Sequence, residues 1–466
     1  MSQSVNAAAE RCVNFYPEPI EVPTGKVPLV LYPTPGYTSK VTLPDSPNRG
    51  HAAFDGRLFA VAGTHLYEVD SLWGVVDRGT VANDLVNSPA TFSTNGDAGG
   101  QLFVTAGGTG YILTLATNVL TTVLTGTAHF GGFVDGYFLA LDTTTSTLRV
   151  SALENGLTWD PTMVAQRNTA ADPWVSMTIL GRQVRLMGQL TSEAWYDAGD
   201  PLFPFAPVQD SLVDHGIASP YSSAALADES VIWLSANRQG TGVVMRASGY
   251  TPTRISSHAV EQAIQGYYQT RDAVAWSYQD RGHPFYVLAF PTAGATWVYD
   301  TVTGFWHERG WWNSTTMLYN ASRAQFHAYV FGLHLVGDRL TGVLYEQSIT
   351  AYTDIASGVL RRLRQGPHLS SQQRQVFAST AQLDLETGIG TVATPAPQVM
   401  LQWSVDGGHL WSNEHWVTAG AVGAYRMRAI WRRIGVSRDR IFRVVVTDPV
   451  PWRLLDFFYD GEVGTT

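Results

Sequence analysis

At 466 residues the chain exceeds one ordinary hydrophobic core, so two domains or one large repeat array are expected. Charged residues make up only 15% of it, while 44 glycines and 15 tryptophans suit many short strands joined by glycine turns, which excludes a disordered chain. The net charge of −9 sits mostly in residues 1–350, where 18 bases face 29 acids, so the bulk of the chain repels nucleic acid.

The lone cysteine, Cys12, rules out an intrachain disulfide and points to assembly in a reducing cytoplasm. No apolar run approaches the ~20 residues a bilayer demands, and the first residues carry no signal-peptide core, so a soluble product is expected. Only Lys26 and Lys40 are lysines. Arginine therefore supplies nearly all positive charge, which weakens the meaning of any single one.

Residues 1–50 are rich in proline and hold two short apolar runs, Val27 to Tyr32 and Tyr37 to Leu43. They read as an extended arm that lies on its own chain or on a neighbour. From His51 a turn followed by an aromatic or aliphatic strand recurs, with turn centres near 56, 99, 136, 181, 229, 281 and 338. That spacing brackets the ~40–50 residues of one propeller blade. Ser257 is placed to cap a short helix with Glu261 in its first turn.

The clearest unit runs from Asp272 to Arg309. Four apolar or alternating runs, Asp272 to Tyr278, His283 to Phe290, Ala295 to Tyr299 and Phe305 to Arg309, are separated by turn chemistry at Asp280-Arg281-Gly282, Thr292-Ala293-Gly294 and Asp300 to Gly304. Phe285 to Phe290 is apolar on both faces, so other sheets must cover it. Repeating such a sheet around an axis gives a β-propeller. The prediction is an all-β chain: an arm at 1–50, a propeller of seven blades, or six, at 51–357, and a β-sandwich-like platform at 358–466. The platform strands are expected at Gln375 to Leu385, Gln398 to Val405, Trp411 to Thr418, Ala424 to Ile434 and Arg440 to Val446, with Gly358 to Gln375 as the exit from the propeller.

Candidate chemistry is sparse. Ser404-Val405-Asp406-Gly407-Gly408-His409-Leu410-Trp411 matches the Asp-box hairpin of sialidases and related propellers, but as a turn device. Glu193, Trp195 and Asp197 alternate onto one strand face, and paired carboxylates beside an aromatic can hydrolyse glycosides. A hydrogen-bonded strand is the plainer reading. His283, His307, Glu308 and Arg309 lack metal-ligand spacing. Asp214-His215-Gly216 has no nucleophile elbow to serve, and no glycine-rich phosphate loop is present, so no cofactor and no metal are expected. Asn313-Ser314-Thr315 is a glycosylation sequon only in a secreted chain.

Arginines are densest near the end, where Arg426 to Arg453 includes eight arginines against Asp439 and Asp448. Arg426 and Arg428, like Arg438 and Arg440, sit two apart and are expected on one strand face. With Arg361, Arg362 and Arg364 they are candidates for subunit contact in preference to phosphate gripping, because the rest of the chain is acidic.

Three stretches carry a resemblance: Glu10 to Glu18 in the arm, Thr191 to Asp197 followed by Phe203-Pro204-Phe205, and the Gly282 to Arg309 blade. They resemble the packaged-DNA-stabilisation proteins, or tail hubs, of short-tailed bacteriophages, and Gln398 to Trp452 is similar to phage tail proteins of this kind. The resemblance implies a nozzle in the virion tail, assembled in the host bacterial cytoplasm. In it six copies form a ring beneath the portal and adaptor, DNA passes through without specific binding, and tail fibres or spikes and a needle or plug attach. It implies no catalytic residues. A propeller glycosidase or carbohydrate-binding receptor module, resting on Glu193, Asp197, the Asp-box and the tryptophans, is the alternative.

Overall fold

The computed structural model describes residues 9–22 and 24–464, so the first eight residues of the arm lie outside the described residues. Four-stranded antiparallel sheets follow one another from Asn48. The Asp272 to Arg309 unit folds as read: strands Val274–Asp280, His283–Phe290, Ala295–Asp300 and Trp306–Glu308 pair in sequence order. Arg281 and Gly282, at φ 50° and 85°, make its first turn a two-residue hairpin of the kind that demands positive φ at both positions. Asp300 closes the last turn by accepting from Val302 N at 2.9 Å, with Gly304 left-handed at φ 72°.

Seven such sheets form the propeller. Blades 1 to 4 span Asn48–Thr80, Thr91–Leu124, Phe130–Gln166 and Trp174–Pro207, and blade 5 runs from Gly216 to Arg254. The Asp272 to Arg309 unit is blade 6. Blade 7 takes Ala324–Val330, Leu333–Asp338 and Val343–Ser348 from the end of the propeller and its outer strand, Gly36–Thr42, from the arm. Register runs from Val343↔Thr42 to Ser348↔Gly36. The ring is thus shut by a strand more than 300 residues away in sequence, which removes its open ends. Apolar clusters lie between blades: Leu58, Ala60 and Val69 of blade 1 meet Ala328, Leu335 and Leu344 of blade 7, and Tyr286 and Leu288 of blade 6 meet Ile232 and Val244 of blade 5. Between blades 5 and 6, Ser257 caps the helix His258–Gln265, accepting from Val260 N.

The seventh repeat differs from expectation. The hairpin centre is Phe331-Gly332, and the Val336 to Leu340 stretch holds the end of a strand and the next turn. Gly337 has ordinary extended backbone; it is glycine because a Cβ there would meet Asn48 Oδ1 at 2.2 Å. Close packing of blade 7 on blade 1, not a turn, requires it.

The platform is a sandwich whose two sheets are completed by the arm. One sheet orders Arg362–Ser370, Asp439–Val446, Gln398–Ser404 and His415–Thr418, and the arm strand Arg11–Val13 joins it edge-on to blade 6, giving nine continuous strands. The other orders Phe15–Pro19, Leu29–Pro33, Leu454–Val463, Val376–Leu385 and Ala429–Ser437. Between them Phe15, Ala381, Leu401, Trp431, Phe442 and Trp452 form the core. Arg362–Ser370, expected as an exit segment, is itself a sandwich strand, and Leu454–Val463 was not foreseen. No helix among the described residues is long and apolar enough to cross a membrane.

Candidate functional site

At the seam where arm, propeller and sandwich meet, side chains and backbone of all three are tied to one another. Arg11 grips Glu308 of blade 6 through Nε at 2.9 Å and Nη2 at 2.7 Å, while Arg364 of the sandwich donates to Glu10 at 2.9 Å. Between them Asn14, buried and left-handed at φ 58°, donates Nδ2 to Gly310 O at 2.9 Å and to Arg361 O at 2.8 Å. Its Oδ1 accepts from Gly310 N at 3.0 Å. One side chain therefore ties the propeller's exit to the sandwich's entry. The Cys12 thiol, donating to Phe15 O at 3.4 Å, is pushed up to about 12 by desolvation, so it stays protonated at neutral pH.

Aromatic rings carry the seam's other arginines. Arg361 lies over Trp312 at 4.3 Å and Arg443 over Trp411 at 3.9 Å. Burial, then the charge of Arg361, lowers Arg443 to about 10. A cavity of about 620 Å³ beside the seam is lined mainly by apolar side chains, including Leu31, Trp306, Leu369, Phe442 and Leu454.

The arginine candidates separate by burial. Arg362 and Arg440 are each at most 1% exposed, so neither can face another subunit; this corrects the expectation for both. Burial lowers Arg362 to about 10 against the pull of Asp354, whose carboxyl is itself raised to about 7 by burial. Arg361 and Arg364 are half-buried at the seam, and Arg426, Arg428 and Arg438 are exposed. Arg426 and Arg428 do not share a strand face, because the strand begins only at Ala429. Arg438 lies in the link before Asp439–Val446 and donates to Gln373 O at 2.5 Å.

The carboxylate pair does not converge. Glu193, 1% exposed, accepts from Trp174 Nε1 at 2.8 Å and Thr169 Oγ1 at 2.7 Å and pairs with buried Arg167 at 3.1 Å. Asp197 accepts from Gly199 N at 2.8 Å in a turn. Four residues apart on a strand, the two are separated by roughly 13 Å, beyond the ~5–9.5 Å of glycosidase pairs. The Asp-box is likewise a hairpin brace: Ser404 Oγ donates to Asp406 Oδ1 at 2.7 Å, and Asp406 accepts from Leu410 N at 2.9 Å. Trp416 alone among the described tryptophans is exposed; the others are buried or half-buried.

The histidines are also internal. His283 Nδ1 meets Asp300 Oδ2 at 2.8 Å, and burial, aided by Arg309, holds His307 well below its ordinary value. Buried Arg309 donates to the Tyr278 hydroxyl. Among the described residues no cluster of three or more His, Cys, Asp or Glu could hold a metal ion. Asn313 uses its side chain to accept from Thr315 N at 2.9 Å in the hairpin after blade 6. The residues that matter most at the seam, Asn14 and Arg11, carried no signal beyond lying in the motif Glu10 to Glu18.

A closed propeller welded to a β-sandwich by its own N-terminal strands is a scaffold, and its best-built site is a joint. Residues 6–351 match the family described as the β-propeller of bacteriophage P22 Gp10, and residues 361–461 match its β-sandwich. The chain belongs to this family of phage DNA-stabilisation, tail-hub proteins, and it is a structural protein of the virion tail that assembles there with other phage proteins. Among curated proteins compared by sequence, none matches. Among solved structures, the N-terminal domain of Nup159 aligns with 71% of this chain and 98% of its own, at 10% identity and a TM-score of 0.43. The extracellular domain of BT4673 from B. thetaiotaomicron aligns with 82% of this chain and 47% of its own, at 11% identity and a TM-score of 0.44.

Proposed function

We propose that six copies form a ring below the portal and adaptor that continues the DNA channel, retains the packaged genome, and anchors fibres or spikes and the needle. The observation that carries this reading is the nine-stranded sheet running from blade 6 through Arg11–Val13 into the sandwich. A hinge would sit at such a junction if the two units moved independently; here the backbone bridge Val13↔Glu308, the pairing of Arg11–Val13 with Arg362–Ser370 and the Asn14 clamp tie them together, as the wall of a pressurised conduit requires. The surplus of acids in residues 1–350 suits a lumen past which DNA slides, since each phosphate contact would add salt-dependent affinity. The role is mechanical, with no bond-making step; the internal partners of Glu193 support this.

Mass photometry of the purified chain with its adaptor tests the ring. A species of six copies is expected. A chain that stays monomeric with the adaptor present contradicts it.

A further inference from the structure

The second sandwich sheet carries opposite charges on its end strand Ala429–Ser437 and on the uncovered part of Leu454–Val463. Val376–Leu385 lies between Leu454–Val463 and Ala429–Ser437, which both run antiparallel to it and hence parallel to each other. Leu454–Val463 meets the arm only at Leu31↔Leu454, so residues 456–463 have no second strand neighbour among the described residues. Along that edge Asp456, Phe458, Asp460 and Glu462 alternate and are exposed. Ala429–Ser437 ends the sheet on the other side and exposes Arg432 and Arg433, with exposed Arg426 and Arg428 just ahead and Arg438 just after.

Among the described residues the two sets of charges do not pair with each other: Asp460 accepts from Ser379 Oγ at 2.9 Å, Asp456 from Phe457 N at 2.7 Å, and Arg438 donates to Gln373 O at 2.5 Å. Arg432 and Asp460 are both in register with Thr380, which puts their backbones two strand spacings apart, roughly 10 Å, with Val376–Leu385 between them. Arg426, Arg428, Arg432 and Arg433 form no ion pair among the described residues. Arg433 at φ 60° and Gly435 at φ 91° accompany a register shift between Ala378 and Thr380. Such a bulge bends the edge, so plain strand addition is disfavoured and side chains must make the contact.

We propose that this sheet is the contact between neighbouring copies: the arginine edge of one chain docks head-to-tail on the Asp456, Asp460 and Glu462 edge of the next. This rests on the ring reading and names its interface. A two-fold edge-to-edge contact would set arginine against arginine and acid against acid. A head-to-tail contact sets opposite charges together, and repetition of one such operator closes a ring. Exposed Phe458 on one edge and Val436 on the other supply apolar surface between the charges. Arginine suits the role because its planar fork engages carboxylates in pairs.

Charge reversal tests it. Chain X carries Arg432→Glu and Arg433→Glu; chain Y carries Asp456→Arg, Asp460→Arg and Glu462→Arg. All five sites are exposed, so each chain should melt within a few degrees of the parent. X alone and Y alone should assemble about 100-fold more weakly or worse, and an equal mixture should restore rings in which X and Y alternate. Assembly of X or Y alone at parental strength overturns the inference while leaving the ring intact. Restoration that stops at a dimer overturns it in favour of a face-to-face pair. X rings that form normally but lose retained DNA overturn it in favour of phosphate gripping. A parent chain that never assembles removes the ring reading itself, and this interface with it.

Discussion

Replacing Asn14 with alanine should uncouple the propeller from the sandwich while leaving each folded. The side chain makes three hydrogen bonds, to Gly310 O and Gly310 N in a buried setting and to Arg361 O in a partly buried one. Truncation strands these groups at about 1–3 kcal/mol for each that finds no substitute partner. Alanine at φ 58° adds about 1 kcal/mol, because its Cβ crowds the carbonyl where asparagine is tolerated. If all three groups stay unpaired, a loss of about 4–10 kcal/mol at the seam follows, towards the lower end where water reaches Arg361 O. Hydrogen exchange should then show faster exchange in peptides covering 10–16 and 361–370, with blade interiors unchanged, and calorimetry should resolve two transitions. Asn14→Gly, which relieves the backbone cost but not the lost hydrogen bonds, should lie between. Unchanged exchange at the seam, with a single transition at the parental temperature, would refute the weld.

Other perturbations probe the interior. His51, buried and held near 4 by desolvation, stays neutral in the fold, whereas the unfolded chain takes up the proton below about 6.5. Its contribution to stability is complete above that value and is lost as pH falls towards 4, amounting to roughly 2 kcal/mol by pH 5. The parent should therefore lose that much more than His51→Asn between pH 7 and 5 in denaturant melts. Asp354 has the opposite sign: raised to about 7 by burial, it binds a proton in the fold that the unfolded chain releases above about 4, so its contribution falls as pH rises from 4 to 7. Asp354→Asn should gain roughly 2–3 kcal/mol on the parent between pH 5 and 7 in the same melts. Glu193→Gln should cost about 2–4 kcal/mol, because buried Arg167 loses half of its paired charge; a normal melting temperature would show that Glu193 is not structural. Gly337→Val should weaken closure of blade 7 on blade 1 by about 1–3 kcal/mol, read as faster exchange of the Gly36–Thr42 strand.

Blade 6 was legible because its strands are local, alternate with period two and end in residues that tolerate positive φ. The seventh hairpin was misplaced because the two signals contradicted their usual meaning: Phe331 occupies a left-handed position at φ 57° that sequence does not advertise, while Gly337 is a packing glycine that looks like a turn. The arm's two apolar runs, read only as parts of an extended arm, coincide closely with the strands Leu29–Pro33 and Gly36–Thr42, and nothing local says that one completes the sandwich and the other completes blade 7. Arg362 and Arg364 differ by a single strand period, yet one is sealed beside Asp354 and the other pairs with Glu10, a difference set wholly by what packs above them. Leu454–Val463 escaped notice because acids occupy its exposed positions and blur its apolar face.

Electron cryomicroscopy of the parent particle's tail tests the central claim most directly. The account predicts propeller-plus-sandwich density repeated six times around the DNA path beneath the adaptor, with blade 6 and the sandwich moving as one body in every class. Copies lying off that path, or sandwiches that swing independently of their propellers, would contradict it.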